Sequence, residues 1–220
     1  MNKASTSVSP YGKSVKVVLL AYLIIAVVQG LSEFGYVFIQ MDKKDVFLSD
    51  LSFILWETLS VTSTTRYVVL LLCVVCTLMW QYKCYNIVRD ANRYAISTIP
   101  EATLVFWFVP PFSFYIPYRT ISEIYMGSDA TDYSSDYLKL DSVPLRYKLW
   151  WALYLISFVF FPIRWEFSKE YSDGDWVLAR YNMIGTAIWV ACGSIFYLIV
   201  DDLTRRVSRF ESVRKTQGRT

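Results

Sequence analysis

The first residues that could carry out chemistry are two cysteines three positions apart, Cys73 and Cys76. Metal and redox sites use this C-x-x-C spacing. The chain contains no histidine, however, which removes the commonest metal ligand and the commonest general base. Because both thiols also lie in the apolar run VLLLCVVC, we interpret them as small side chains that fill space between helices. The sequence predicts no catalytic residue, no bound metal and no cofactor.

A second group of candidates flanks a proline-rich segment: Glu101, Arg119 and Glu123. Two carboxylates beside an arginine could handle protons or ions within a membrane. Such charges more often mark the water-facing ends of a membrane element, and the pattern leaves both interpretations open. Three aspartates further along lack the glycine turn and the terminal glutamate of a calcium loop, and they indicate a solvated loop: Asp129, Asp132 and Asp136.

Glu33 and Arg180 carry opposite charges next to long apolar runs. A charge left alone in lipid is costly, so we predict that these two side chains form an ion pair within the membrane. The alternative is that each side chain reaches the interface separately, as long charged side chains do.

The composition indicates the environment in which these residues must work. Of the 220 residues, 55% are hydrophobic and 18% aromatic, only 19% are charged, and the mean hydropathy is +0.33. An ordinary soluble domain of this size is less apolar. The net charge of +3 provides no basic field of the kind that binds nucleic acid. The composition therefore predicts an integral membrane protein whose first partner is the lipid bilayer.

The apolar runs predict an all-α, multi-pass transmembrane bundle. Four runs are predicted to cross the bilayer: residues 17–40, 67–80, 149–163 and 181–200. Apolar side chains at helical spacing over residues 41–65 predict a helix that lies at the interface. We expect a single transmembrane domain over residues 15–207, with a flexible polar tail at residues 1–14 and a basic cytoplasmic tail at residues 208–220.

Residues 99–126 are apolar but contain Pro110, Pro111 and Pro117. Prolines lack the backbone N–H and clash with the preceding turn, so one straight helix is excluded. The uncharged part, residues 102–118, has only 17 residues, which is at the lower limit for a straight spanning helix. We predict a proline-broken element that re-enters on the side it came from, or a kinked one.

The basic residues favour the re-entrant arrangement. With four crossings, 16 of the 22 lysine and arginine residues lie on one side, whereas a fifth crossing divides them 13 against 9. Since lysine and arginine accumulate on the cytoplasmic side, we expect both termini in the cytoplasm. The chain contains no Asn-x-Ser/Thr acceptor, which fits the plasma membrane of a prokaryote.

The proline segment also carries a resemblance. The residues at its centre resemble the signature of the bacterial domain-of-unknown-function family 4328: Trp107, Phe108, Val109, Pro110, Pro117, Arg119, Ile124 and Ser128. Elements on either side are similar to other parts of the family's pattern: Trp80 with Ala91 and Asn92, the pair Trp150 and Trp151, and Leu203 to Arg205. The resemblance covers residues 68–207. Ser113 stands where the family usually has asparagine, and Val207 where it has glutamine. The resemblance implies a multi-pass membrane protein of unestablished activity and supplies no catalytic residues.

Two functions follow from these patterns. We expect a membrane scaffold or partner-binding protein, which binds protein partners or further copies of itself. The reason is that no candidate group of residues can be distinguished from ordinary helix packing. The alternative is a transporter or channel for a small solute or an ion that uses residues 99–126, since broken helices build binding sites at membrane depth. An enzyme is not expected, because no nucleophile has a base beside it. A wet cavity lined by Ser113, Arg119 or Glu123 would favour transport, and a dry, packed segment would favour the scaffold.

Overall fold

The computed structural model describes residues 7–41, 46–91, 99–128, 143–170 and 176–217. The solvated loop predicted at Asp129, Asp132 and Asp136 lies outside these residues. Every regular element within them is a helix. The α-helices are α1 (Ser9–Met41), α2 (Val46–Ala91), α3 (Pro100–Val105), α4 (Ile116–Gly127), α5 (Leu145–Glu170) and α6 (Trp176–Gln217), and Phe112–Phe114 form a short 3-10 turn. The all-α prediction is therefore confirmed for the described residues.

Helix α2 is one continuous helix of 46 residues. An interfacial helix over residues 41–65 and a separate span over residues 67–80 had been expected, and the division into two separate helices was wrong. The physical reason is that Val46–Ala91 contains neither proline nor glycine, so nothing interrupts the backbone hydrogen bonds. At 1.5 Å per residue the helix is about 69 Å long, which exceeds the hydrocarbon thickness of a bilayer.

Three helices among the described residues are long and apolar enough to cross a membrane: Ser9–Tyr36, Phe53–Asp90 and Arg180–Arg214. They contain most of the first predicted crossing, and all of the second and fourth. Helix α5, which contains the third, is not among them. Its uncharged run, residues 149–163, has 15 residues and is bounded by Lys148 and Arg164, which is shorter than a usual span.

The long helices extend beyond the domain limits drawn from sequence. Helix α1 begins at Ser9, inside the segment predicted as a polar tail, and Pro10 occupies its first turn, where a missing N–H costs nothing. Helix α6 continues to Gln217, through most of the predicted basic tail. Polar composition therefore ended neither helix, because Pro10 is tolerated in the first turn of α1 and residues 208–217 contain neither proline nor glycine.

The proline segment is interrupted where the prolines predict. Helix α3 ends at Val105, turns follow over residues 106–111, and α4 begins at Ile116 with Pro117 in its first turn. The N–H of Ser113 donates to the carbonyl oxygen of Val109 at 3.1 Å, which closes the turn after the two prolines. The prolines determine where the helix breaks. The side of the membrane to which the chain returns depends instead on the helices that flank the segment.

The chain divides into two compact units. Unit 1 contains Met1–Val17, Val74–Trp151 and Phe196–Thr220, and unit 2 contains Val18–Cys73 and Ala152–Ile195. Large, fully buried side chains form the core of unit 1: Trp80, Tyr85, Ile121, Tyr147 and Leu203. The buried residues of unit 2 include several small or polar ones beside Leu19, Tyr22 and Ile39: Ala26, Gln29, Ser32, Cys73, Ser157, Thr186 and Cys192.

The part of α1 in unit 2 has an apolar outside and a partly polar inside. Its exposed side chains follow helical spacing: Leu20, Ile24, Val27 and Leu31. The opposite, buried face carries Gln29 and Ser32. A helix in water would reverse this distribution, because apolar surface is removed from water on folding. The arrangement fits a helix whose outer face contacts lipid.

Candidate functional sites

The first candidate site surrounds Glu123 in unit 1. Glu123 lies on α4 and is only 4% exposed. Its carboxylate accepts a hydrogen bond from Arg119 Nε at 2.7 Å and another from the Tyr85 hydroxyl of α2 at 2.8 Å. The carboxylate also raises the pKa of Arg119, mainly through this hydrogen bond. Arg119 and Glu123, which the sequence placed one helical turn apart, thus meet in a tight, largely buried pair.

Glu101, the third charge of this group, takes a separate position. It is exposed and accepts a hydrogen bond from the Tyr82 hydroxyl of α2 at 3.1 Å. Tyr82 and Tyr85 lie three residues apart on the same helix, so one end of α2 holds both carboxylates. Glu101, Arg119 and Glu123 therefore all have hydrogen-bond partners within the protein.

The other motif residues of the proline segment differ in how far they are buried. Ser113 and Pro117 are buried, Trp107 is half-buried and Pro110 is exposed. The indole of Trp151 on α5 donates to the carbonyl oxygen of Phe114 at 2.9 Å and packs against the ring of Tyr118. Most of the large apolar side chains that remain are on the outside: Ile99, Val105, Phe108, Val109, Phe112, Phe114 and Tyr115. The segment is attached to unit 1 by polar contacts and presents an apolar surface.

A layer of ion pairs connects three helices in unit 1. Asp201, in the C-terminal half of α6, pairs with Lys16 of α1 at 2.6 Å and with Arg205. Asp202 pairs with Arg146 at the start of α5 at 2.5 Å and with Arg206 at 3.3 Å. Sequence reasoning missed this layer. The signal was two aspartates followed four residues later by two arginines, the spacing at which helical side chains pair.

A further contact, next to this layer along α6, involves Trp80 of α2. Its indole N–H donates to Thr204 Oγ1 of α6 at 3.0 Å, and both residues are buried. Gly12 of α1 lies against the same threonine, because a Cβ added at Gly12 would lie 2.6 Å from Thr204 Cγ2. Helices α1 and α2 therefore both contact α6 at this one residue.

The second candidate site is a cavity of about 50 Å³ in unit 2. It is lined by Gln29, Glu33, Arg66, Ser157, Phe160, Asn182, Gly185, Thr186 and Trp189. The guanidinium of Arg66 donates to Gln29 Oε1 at 3.1 Å and to the Tyr22 hydroxyl at 3.2 and 3.3 Å. The amide of Gln29 then donates to Glu33 Oε1 at 3.2 Å. Polar side chains from four helices thus meet inside unit 2.

Arg66 was not singled out from the sequence, although it directly precedes the predicted crossing over residues 67–80. It lies 13 residues after Phe53, inside the candidate span Phe53–Asp90. The available signal was on α1, where Tyr22, Gln29 and Glu33 recur on one helix face within an apolar run. Glu33 lines the cavity and Arg180 is exposed, while their mutual ion pair stays a prediction.

The two cysteines of the C-x-x-C pattern lie on α2. Cys73 is buried, Cys76 is half-buried, and neither forms a disulfide. Neither residue lines the polar cavity of unit 2.

The fold and these sites define an all-helical protein with three apolar helices that could cross a membrane. Residues 50–205 match the family described as a domain of unknown function (DUF4328), and the chain belongs to that family. The match begins earlier and ends slightly sooner than the resemblance over residues 68–207. Comparison with curated proteins and with solved structures finds no significant match.

Proposed function

We propose that the protein is a multi-pass membrane scaffold that binds a protein partner in the plasma membrane of a prokaryote and has no enzymatic activity. Helices α1, α2, α5 and α6 cross the bilayer, and residues 99–126 enter it and return to the cytoplasmic side. Both termini are cytoplasmic. The exposed apolar side chains of residues 99–115 form the partner surface.

The observation that carries the scaffold role is the satisfied state of the charges around the prolines. A transport site needs polar groups that are available to a passing solute. Here Glu123 is buried against Arg119 and Tyr85, Glu101 is bonded to Tyr82, and Ser113 is buried. The exposed side chains of residues 99–115 are mostly apolar. This surface is suited to contact with lipid or protein rather than to passage of a solute.

Contacts within unit 1 support the re-entrant arrangement. The end of α2 is joined to α6 through Trp80 and Thr204, and the start of α5 is joined to α6 through Arg146 and Asp202. Trp80 and Arg146 thus contact α6 at the same level, two residues apart along that helix. A chain that leaves α2 and enters α5 at one level has not crossed the bilayer between them, which supports an even number of crossings in residues 92–144.

Cysteine labelling tests this topology. Single cysteines at Asp90 and Asp132, in a background without the native cysteines, are expected to react with an impermeant thiol reagent only after the cytoplasmic face is opened. A cysteine at Lys43 is the control and should react from outside intact cells. Labelling at position 132 from outside would mean a fifth crossing and would contradict the re-entrant arrangement.

Photo-crosslinking tests the scaffold role. A benzoylphenylalanine at Phe112, which is 47% exposed, is expected to give a discrete protein adduct in native membranes. The matched control is the same residue at Leu71, which is 65% exposed on α2 and should give lipid adducts alone. Lipid adducts alone at both positions would contradict partner binding. Solute flux into vesicles that contain the pure protein, abolished by Ser113→Ala or Arg119→Gln, would favour the transporter instead.

A further inference from the structure

The polar cavity of unit 2 has no part in the scaffold role, which rests on unit 1. We propose that this cavity binds a small monovalent inorganic anion, of the size of a halide or nitrate, on the guanidinium of Arg66. Four observations support it: the neutral partners of Arg66, its position within the candidate span of α2, the size of the cavity and the unused amide of Asn182.

Arg66 is a cation whose contacts among the described residues are all neutral. Its three donating nitrogens bond to the Tyr22 hydroxyl and the Gln29 amide, and its guanidinium lies 5.5 Å from the centre of the Tyr22 ring. No carboxylate of the described residues lies within ion-pair distance of it. A partly buried guanidinium with no carboxylate within ion-pair distance favours an anion beside it.

The position of Arg66 along α2 adds to this argument. It lies about 20 Å along α2 from Phe53, the start of the candidate span. Its partner Tyr22 lies near the middle of the candidate span Ser9–Tyr36 and is only 3% exposed. Mobile ions in bulk water screen a partly buried charge such as Arg66 less than an exposed one. An ionisable side chain inside a membrane segment commonly marks an ion or substrate site.

The size of the cavity limits the ligand. One water needs about 10–15 Å³ of such space, so a cavity of about 50 Å³ holds about three to five water-sized groups. A halide, or a planar anion of about four non-hydrogen atoms, fits this space. A sugar acid or a nucleotide does not. The ligand class is therefore a small inorganic anion, with ordered water in any space that remains.

The cavity also has an unused polar group. The side-chain amide of Asn182 forms no hydrogen bond with a described residue, and its Oδ1 is buried. Rotation of the amide would aim its N–H groups at an anion without breaking a bond. Thr186 and Trp189 line the same space and bring a hydroxyl and an indole N–H. These groups could complete a ligand shell around an anion held by Arg66.

Glu33 and Arg66 should affect anion affinity in opposite directions. Its carboxylate lines the same cavity but is separated from Arg66 by the Gln29 amide, so it repels an anion bound there. Removal of the negative charge should therefore strengthen anion binding, whereas removal of the positive charge should abolish it. A cavity with a purely structural role predicts no opposition of this kind.

The test is bromide binding to the purified protein in detergent, followed by thermal unfolding. Sodium bromide is titrated against sodium gluconate at constant ionic strength, because gluconate is too large for the cavity. The wild-type Tm should rise with bromide and saturate. Arg66→Gln should lose the saturable rise, and Glu33→Gln should reach half-saturation at a bromide concentration about tenfold lower.

A second variant keeps the test valid if Arg66→Gln does not fold. Asn182→Leu fills the cavity and leaves Arg66 in place, so it should also lose the bromide response. Ser194→Ala is the control on the same helix, since Ser194 is exposed and bonds only to Val190 of its own helix. Equal responses of the wild type to bromide and gluconate would overturn the proposal, as would an unchanged bromide response in Asn182→Leu.

Discussion

Replacement of Glu123 by alanine is expected to lower the free energy of unfolding by about 2–4 kcal/mol. The carboxylate is 4% exposed and accepts hydrogen bonds from Arg119 and Tyr85. Its loss would leave a partly buried guanidinium without its ion-pair partner and would remove a charged acceptor from a fully buried tyrosine. Since these contacts join α4 to α2, the variant should also loosen the proline segment.

The matched control is Glu101→Ala in the same segment. Glu101 is exposed and bonded only to the exposed Tyr82 hydroxyl, so its loss should cost less than about 0.5 kcal/mol. Denaturant or thermal unfolding in detergent measures both values. Glu123→Gln should lie between them, because the amide oxygen can still accept from Tyr85 although the charge is lost. Equal effects of Glu101→Ala and Glu123→Ala would show that burial does not matter here.

Replacement of Gly12 by alanine is expected to be comparably damaging, at about 2–3 kcal/mol. The added Cβ would lie 2.6 Å from Thr204 Cγ2 and 3.0 Å from Thr204 Cβ, distances that require one helix to move. Thr204 cannot turn away easily, because it is β-branched and its Oγ1 accepts from the Trp80 indole and donates to the Val200 carbonyl. The substitution therefore strains three helices at one point.

Gly193→Ala is the control for this prediction. The Cβ added at Gly193 would lie 3.0 Å from Leu23 Cδ2, the mobile end of a flexible side chain, so a smaller loss is expected. In a Thr204→Ala background, Gly12→Ala should cost less than in the wild type, because only the Cβ contact would remain. Thermal unfolding of the four variants forms a double-mutant cycle. Additive losses at Gly12 and Thr204 would contradict the proposed close approach.

Several features of this protein could be predicted from the sequence because they depend on neighbouring residues alone. Pro110 and Pro111 interrupt any helix wherever it lies, and the break appears there. The apolar runs on α1 and α6 predict membrane helices in the same way. The absence of histidine limits chemistry whatever the fold. Even these local rules were incomplete, since polar composition predicted ends that α1 and α6 do not have.

The tertiary structure decided which distant residues meet. Nothing in the sequence singled out Arg66, whereas the structure brings it together with Tyr22 and Gln29, about 40 residues earlier, beside a cavity. Lys16 and Asp201 are 185 residues apart, and the contact of Trp80 and Gly12 with Thr204 joins three helices. No local pattern specifies these pairs, because a residue's helical neighbours are set by its sequence, whereas its partners on other helices are set by the register and rotation at which whole helices pack.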